Sequence, residues 1–166
     1  MGSSWLPRGL AFAGGMVLLR LIQGALINAF PTSAGLISLA LVVVLGAVAA
    51  VWGFRDGTED AQENADPDRR RDLAMRWLLA GLVAGVLGGA VAWLISLFYR
   101  GIYAEGLFAE VTAFAAFTAL LVFLPAMFAV TVGRWRVDRN RVDEPRRRIS
   151  EDGSETDVFE AVQNPS

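Results

Sequence analysis

Arg20 is the residue whose chemistry most constrains this chain. It stands inside the apolar run 9–30, about 16 Å along a helix from the start of the run at a rise of about 1.5 Å per residue. A membrane's hydrocarbon layer is about 30 Å thick. A guanidinium at that depth costs several kcal/mol unless it is paired or wet, so it marks either a solute site or a structural ion pair. Gly9, Ala13 and Gly24 fall on its helical face. Small faces seek other helices, which points Arg20 into a bundle or an aqueous cavity and away from lipid. Gln23 and Asn28 flank this stripe. Arg20, Gln23 and Asn28 form a donor-rich polar path, a candidate site for a small polar or anionic solute. The competing reading makes Arg20 structural, satisfied by backbone carbonyls or by Glu110, its possible counter-ion at the mouth of the fourth apolar run.

Little other chemistry is available. The chain has no Cys and no His, which removes thiol chemistry, the commonest general base and the commonest metal ligand. No nucleophile with a base, no metal cluster and no phosphate-binding loop stands out, so the chain reads as a non-enzyme without cofactor or metal. Nothing suggests a nucleic-acid partner. All 15 basic residues are Arg, a bias that fits a GC-rich bacterial genome.

The elements that must position Arg20 are membrane spans. Hydrophobic residues make up 54% of the chain, and the charges gather in short blocks, the profile of an integral membrane protein and not of one soluble core. Four apolar runs, 9–30, 33–54, 77–99 and 111–133, are each long enough for a helix to cross with some tilt. The fold expected is an all-α bundle of four transmembrane helices.

Orientation comes from the arginines. Residues 55–76 carry five and residues 134–148 seven, whereas the turn at Pro31 carries none and residues 100–110 carry one. The positive-inside rule puts both termini and the middle loop in the cytoplasm. Trp5, Trp52, Trp77 and Trp135 then mark the inner interface, and Tyr99 and Tyr103 the outer one. A signal-peptide reading of the first run is disfavoured by the apolar turn beyond Arg20 and by the lack of a small-x-small cleavage site near residue 30.

Residues 55–76 hold seven acids and the breaker Asp66-Pro67-Asp68, a solvated connector with room for a short amphipathic helix. Residues 137–166 are Arg-rich, then acidic, and read as a disordered cytoplasmic tail. Its arginines serve topology or adhere to anionic membrane lipids.

Gly81, Gly85 and Gly89 head a small-residue stripe on the third run. Such stripes let backbones approach where lipid supplies no hydrophobic drive, either inside one bundle or between two protomers. Gly35, Gly46 and Gly53 on the second run and Ala115, Ala119, Ala126 and Gly133 on the fourth are weaker versions, and Pro125 should bend the fourth helix. Trp5 to Leu10 and Trp77 to Leu82 share Trp, Leu, Gly and Leu at matched positions, a hint of two hairpin repeats.

Several segments carry a family likeness: Trp5-Leu6-Pro7-Arg8-Gly9-Leu10, Arg20 with Gln23-Gly24, Trp52-Gly53-Phe54-Arg55-Asp56-Gly57, and Asp72 to Gly81. Over residues 5–135 the chain resembles small actinobacterial, especially mycobacterial, proteins assigned to a four-span branch of the bacterial drug/metabolite transporter superfamily. The resemblance implies a multi-pass transporter of the bacterial plasma membrane working as a homodimer. Small multidrug exporters of that superfamily use a membrane-embedded Glu in the first helix, where this chain has Arg20. A transporter with a polar cavity around Arg20 is thus the first expectation. A non-transporting scaffold or accessory subunit of a cell-envelope complex, docking through Gly81, Gly85 and Gly89, is the second.

Overall fold

A computed structural model describes the backbone of residues 5–98 and 106–152 and the side chains of 5–98 and 106–141. Four helices are long and apolar enough to cross a membrane. They are α1 (Trp5–Ala29), α2 (Ala34–Glu63), α3 (Leu73–Ser96), and a fourth assembled from α4 (Leu107–Ala109), a π-helical turn (Glu110–Phe114) and α5 (Ala115–Asp152). No strand occurs among the described residues. This is the expected all-α architecture, compatible with a multi-pass membrane protein.

Local chemistry sets the corners. Pro31 opens a tight 3-10 turn, Pro31–Ser33, between α1 and α2; its missing N–H costs nothing at a helix start. Pro67–Arg69 forms a second such turn. Asp72 caps α3 by accepting a hydrogen bond from the Met75 backbone N–H at 3.0 Å.

The helices alternate in direction. The start of α1, the end of α2, the start of α3 and the Arg134 region of α5 share one end, called here the Arg8 end. Around the bundle α1 rests on α3, α3 on α5 and α5 on α2, while α1 and α2 meet only lightly. The core comprises Phe12, Met16, Leu45, Trp77, Val122 and Val130 with smaller neighbours.

Backbone proximity explains the tight seams. A Cβ on Gly81 would stand 2.8 Å from the Ala119 carbonyl oxygen, and one on Gly85 or Gly89 would meet the backbone of Ala115 or Glu110. All three glycines are buried against the fourth helix, so the stripe is internal packing. Of the two uses expected of the stripe, packing inside one bundle is the one seen here. The weaker stripes form a second seam: Gly53 and Gly57 of α2, the latter not named from sequence, lie against the backbones of Ala126 and Val130, and Gly133 of α5 against Phe54 and Thr58.

Two boundaries also differ. α2 continues to Glu63, and Asp56, Gly57, Asp60 and Ala61 are buried, so residues 55–63 are bundle and not solvated connector. α5 continues to Asp152, well into the segment 137–166 expected to be disordered; residues 153–166, like Tyr99 and Tyr103, lie outside the described residues. The physical reason is charge pairing that composition alone cannot locate. Residues 55–76 and the end of the fourth helix bind each other in both senses: Arg134 donates to Asp60, Arg70 donates to Asp138, and Arg141 donates to the Gln62 carbonyl. Trp77 is likewise no interfacial belt residue. It is fully buried, in an aromatic cluster with Phe12 and Trp52 at centroid distances of 5.9 and 6.3 Å.

Gly85→Leu should therefore destabilise the monomer itself, by about 3 kcal/mol for an overpacked seam. Gly14→Leu, at an exposed position with nothing within 4 Å of the added Cβ, should be nearly neutral. Thermal midpoints in detergent, read beside oligomeric state, check both; equal midpoints for the two variants would contradict an internal stripe.

Candidate functional site

Arg20 is paired. Its Nη1 donates to Glu110 Oε2 at 2.7 Å and its Nη2 to Glu110 Oε1 at 3.0 Å, the two-pronged geometry that matches a guanidinium to a carboxylate. The side chains are only 14% and 5% exposed, so each charge depends on the other. The Phe114 ring lies 4.0 Å from the guanidinium carbon and adds a cation–π contact.

The fold prepares this pair from three sides. Small residues on α1 bring it onto α3, where a Cβ on Gly9 would meet Val83. Gly89 lets the backbone of Glu110 come close, since a Cβ there would stand 2.5 Å from the Glu110 carbonyl oxygen. Glu110 and Phe114 bound the π-helical turn, a rare backbone form that gathers at functional positions.

Beside the pair lies a cavity of about 340 Å³ between α1, α2 and the fourth helix. It brings together every substrate-binding residue expected from sequence: Arg20, Gln23 and Asn28 all line it. Gln23 Nε2 donates to Ser38 Oγ at 2.8 Å, and Ser38 Oγ donates to the Ala34 carbonyl at 2.9 Å. Asn28 is exposed. Much of the remaining wall is apolar, with Met16, Leu19, Leu41, Leu45 and Phe117. Because Glu110 cancels the charge of Arg20, the cavity presents amide and hydroxyl groups on an apolar wall with no surplus cation. An anion gains little there; a neutral polar or zwitterionic solute fits better.

Sequence reasoning missed Ser38 and Phe114. Ser38 had a usable signal, since Gln23 and Ser38 lie at matched distances on either side of the Pro31 turn, which puts them at one depth in a hairpin. Phe114 had none, because its role depends on the π-helical turn.

The Arg8 end carries a separate polar network. Arg8 Nη2 donates to Asp56 Oδ1 at 2.8 Å, and the Trp77 indole donates to Asp56 Oδ2 at 3.1 Å. The Arg8 guanidinium carbon lies 5.6 Å from the ring centroids of both Trp52 and Trp77. Asp60, 1% exposed, accepts from Arg134 Nε at 3.0 Å and Nη2 at 2.6 Å and from the Arg71 backbone N–H at 3.0 Å. These contacts tie α2 to α1, α3 and α5. No group of His, Cys, Asp and Glu able to hold a metal occurs among the described residues.

No protein-family model matches the chain, and no curated protein matches it.

Breaking the buried pair tests its role. Arg20→Gln and Glu110→Gln should each lower stability by about 3–5 kcal/mol, because each leaves an uncompensated charge. The double variant should recover much of that loss through their coupling. Denaturation of the four proteins in detergent gives the coupling energy directly, and additive single effects would show that the two side chains do not depend on each other.

Proposed function

We propose that this chain is a small plasma-membrane transporter of the drug/metabolite type, moving a compact neutral or zwitterionic polar solute through the cavity beside Arg20. The observation that carries the reading is the coincidence of that cavity with Arg20, Gln23, Asn28 and Ser38 inside a bundle of four membrane-length helices. A volume of about 340 Å³ is within the size of ordinary small-molecule sites, which combine an apolar wall with a few placed polar groups.

The cavity lies along the light contact between α1 and α2, where a change in solute access would disturb few contacts. The Arg20–Glu110 pair flanks the solute as a fixed dipole and supplies orientation without net charge. The cytoplasmic side is the Arg8 end, since 12 of the 15 Arg fall in residues 55–76 and 134–148, by the positive-inside rule. The scaffold alternative loses its main support because Gly81, Gly85 and Gly89 are already occupied within the monomer.

The experiment is solute flux into proteoliposomes, with a panel of neutral, zwitterionic and anionic solutes of matched size. Gln23→Leu should reduce flux of the favoured solute about tenfold, the loss of one hydrogen bond of about 1.4 kcal/mol, with the thermal midpoint nearly unchanged. A preference for anions, or flux indifferent to Gln23→Leu, would count against the site. Reporter fusions after residues 60 and 150 should read as cytoplasmic, and an external reading for either overturns the orientation.

A further inference from the structure

The loose seam between α1 and α2 holds more than the Arg20 cavity. At its Arg8 end lies a second cavity of about 580 Å³, lined by Arg8, Val48, Val51, Trp52, Arg55 and Glu59 among others. Above it runs an apolar groove of about 230 Å³ whose walls include Phe12, Gly15, Leu18, Val44 and Val48. The two share Val48 and Trp52, so they adjoin along the helix pair and outline a channel with a wide polar end and a narrow apolar one.

Its dimensions and charges select an occupant. From Arg8 to Leu19 the α1 side of the channel rises about 16 Å at about 1.5 Å per residue, half of a hydrocarbon layer about 30 Å thick. That is the depth of one leaflet. Four charged residues line the wide end, and two of them, Arg8 and Asp56, pair at 2.8 Å and cancel each other's charge, although Arg8 Nη1 is left without a hydrogen-bond partner among the described residues. Arg55 and Glu59 remain. Both are exposed, they are one helical turn apart on α2, and neither forms an ion pair among the described residues. A site offering one free cation and one free anion at the mouth of an apolar groove complements a zwitterion with a hydrocarbon tail.

We propose that the α1–α2 seam seats a phospholipid with a phosphoethanolamine headgroup: its phosphate on Arg55, its ammonium on Glu59, and one acyl chain in the groove past Trp52 and Gly15. Gly15 is what makes the groove, because nothing lies within 4 Å of where its Cβ would be and a larger side chain would fill the space. The primary ammonium donates hydrogen bonds to a carboxylate, which a quaternary choline cannot do, and a glycerol headgroup lacks the cation altogether. The headgroup end of the seat is separate from the Arg20 cavity, since neither Arg55 nor Glu59 lines it, while the groove and that cavity share Leu19 and Leu45 as a common wall.

Native mass spectrometry of the full chain in detergent, with phosphatidylethanolamine, phosphatidylcholine and phosphatidylglycerol of identical acyl chains, tests the proposal. Retention of phosphatidylethanolamine should exceed that of the other two about tenfold, the value of one charge-assisted hydrogen bond. Glu59→Gln should erase the preference, and Arg55→Gln should weaken all three lipids. Gly15→Leu should displace lipid while the thermal midpoint holds; Val48→Trp fills the same groove from α2 should the first variant fold poorly. Equal retention of the three lipids overturns the headgroup assignment. Retention unchanged by both groove-filling variants means peripheral lipid only and overturns the seat, as does a groove-filling variant that dissociates a dimer without changing lipid retention, which would mean a second copy occupies the seam.

Discussion

Helices in a bilayer gain nothing by hiding apolar side chains from one another, because lipid is as apolar as they are; what holds them is close contact between backbones. This constraint decides the arrangement. Wherever a glycine faces a neighbour the seam closes: Gly81, Gly85 and Gly89 draw α3 onto the fourth helix, and Gly53, Gly57 and Gly133 draw α2 onto α5. Along the gap between α1 and α2 three glycines make no such approach. Gly14, Gly15 and Gly35 meet nothing within 4 Å, and Leu19 and Leu45 stand in the wall instead. The seam stays open, and the cavities follow from it.

An open seam leaves two helices in need of other ties, and polar groups supply them at chosen depths. Near the Pro31 turn Gln23 reaches Ser38 across the gap; at the far end Arg8 reaches Asp56. Arg20 is bound to Glu110 on the fourth helix and not to α2, so α1 is anchored on the side away from the seam. Each tie satisfies charges or donors that would be costly if left alone in a low-dielectric interior.

Much of this was legible in the sequence. The four apolar runs gave helix number and direction because hydropathy over about 20 residues is a strong signal. Arg20 is legible because a charge at that depth is expensive, and Glu110 is legible as its possible counter-ion from its place at the mouth of the fourth apolar run. The extents of α2 and α5 were not legible. Asp56 and Asp60 look like loop residues until Arg8 and Arg134 are known to face them, and that depends on packing between elements distant in sequence. Gly57 was hidden by the same error, since a glycine amid acids and a threonine reads as a turn unless its partner Val130 is in view. The stripe on α3 is legible as periodicity, but periodicity says only that a face is small; whether it meets its own chain or another depends on packing between helices distant in sequence.

The two polar systems differ in a way that bears on what each can do. At the Arg8 end, Asp60 is surrounded by Arg134 and the Arg71 backbone, and Asp56 by Arg8 and Trp77. Those carboxylates have their acceptors engaged and serve as fixed posts. At the Glu110 end, the ion pair sits against a cavity and on a π-helical turn, where the regular i to i+4 bonding is already interrupted. That turn carries Glu110 and Phe114 together, and with them one wall of the cavity, while Gly89 of α3 lies against the Glu110 backbone and Gly81 and Gly85 hold α3 to Ala119 and Ala115. The glycine seams thus join α2, the fourth helix and α3 into one tightly packed series, and the ion pair and the cavity lie where α1 meets it beside the irregular turn.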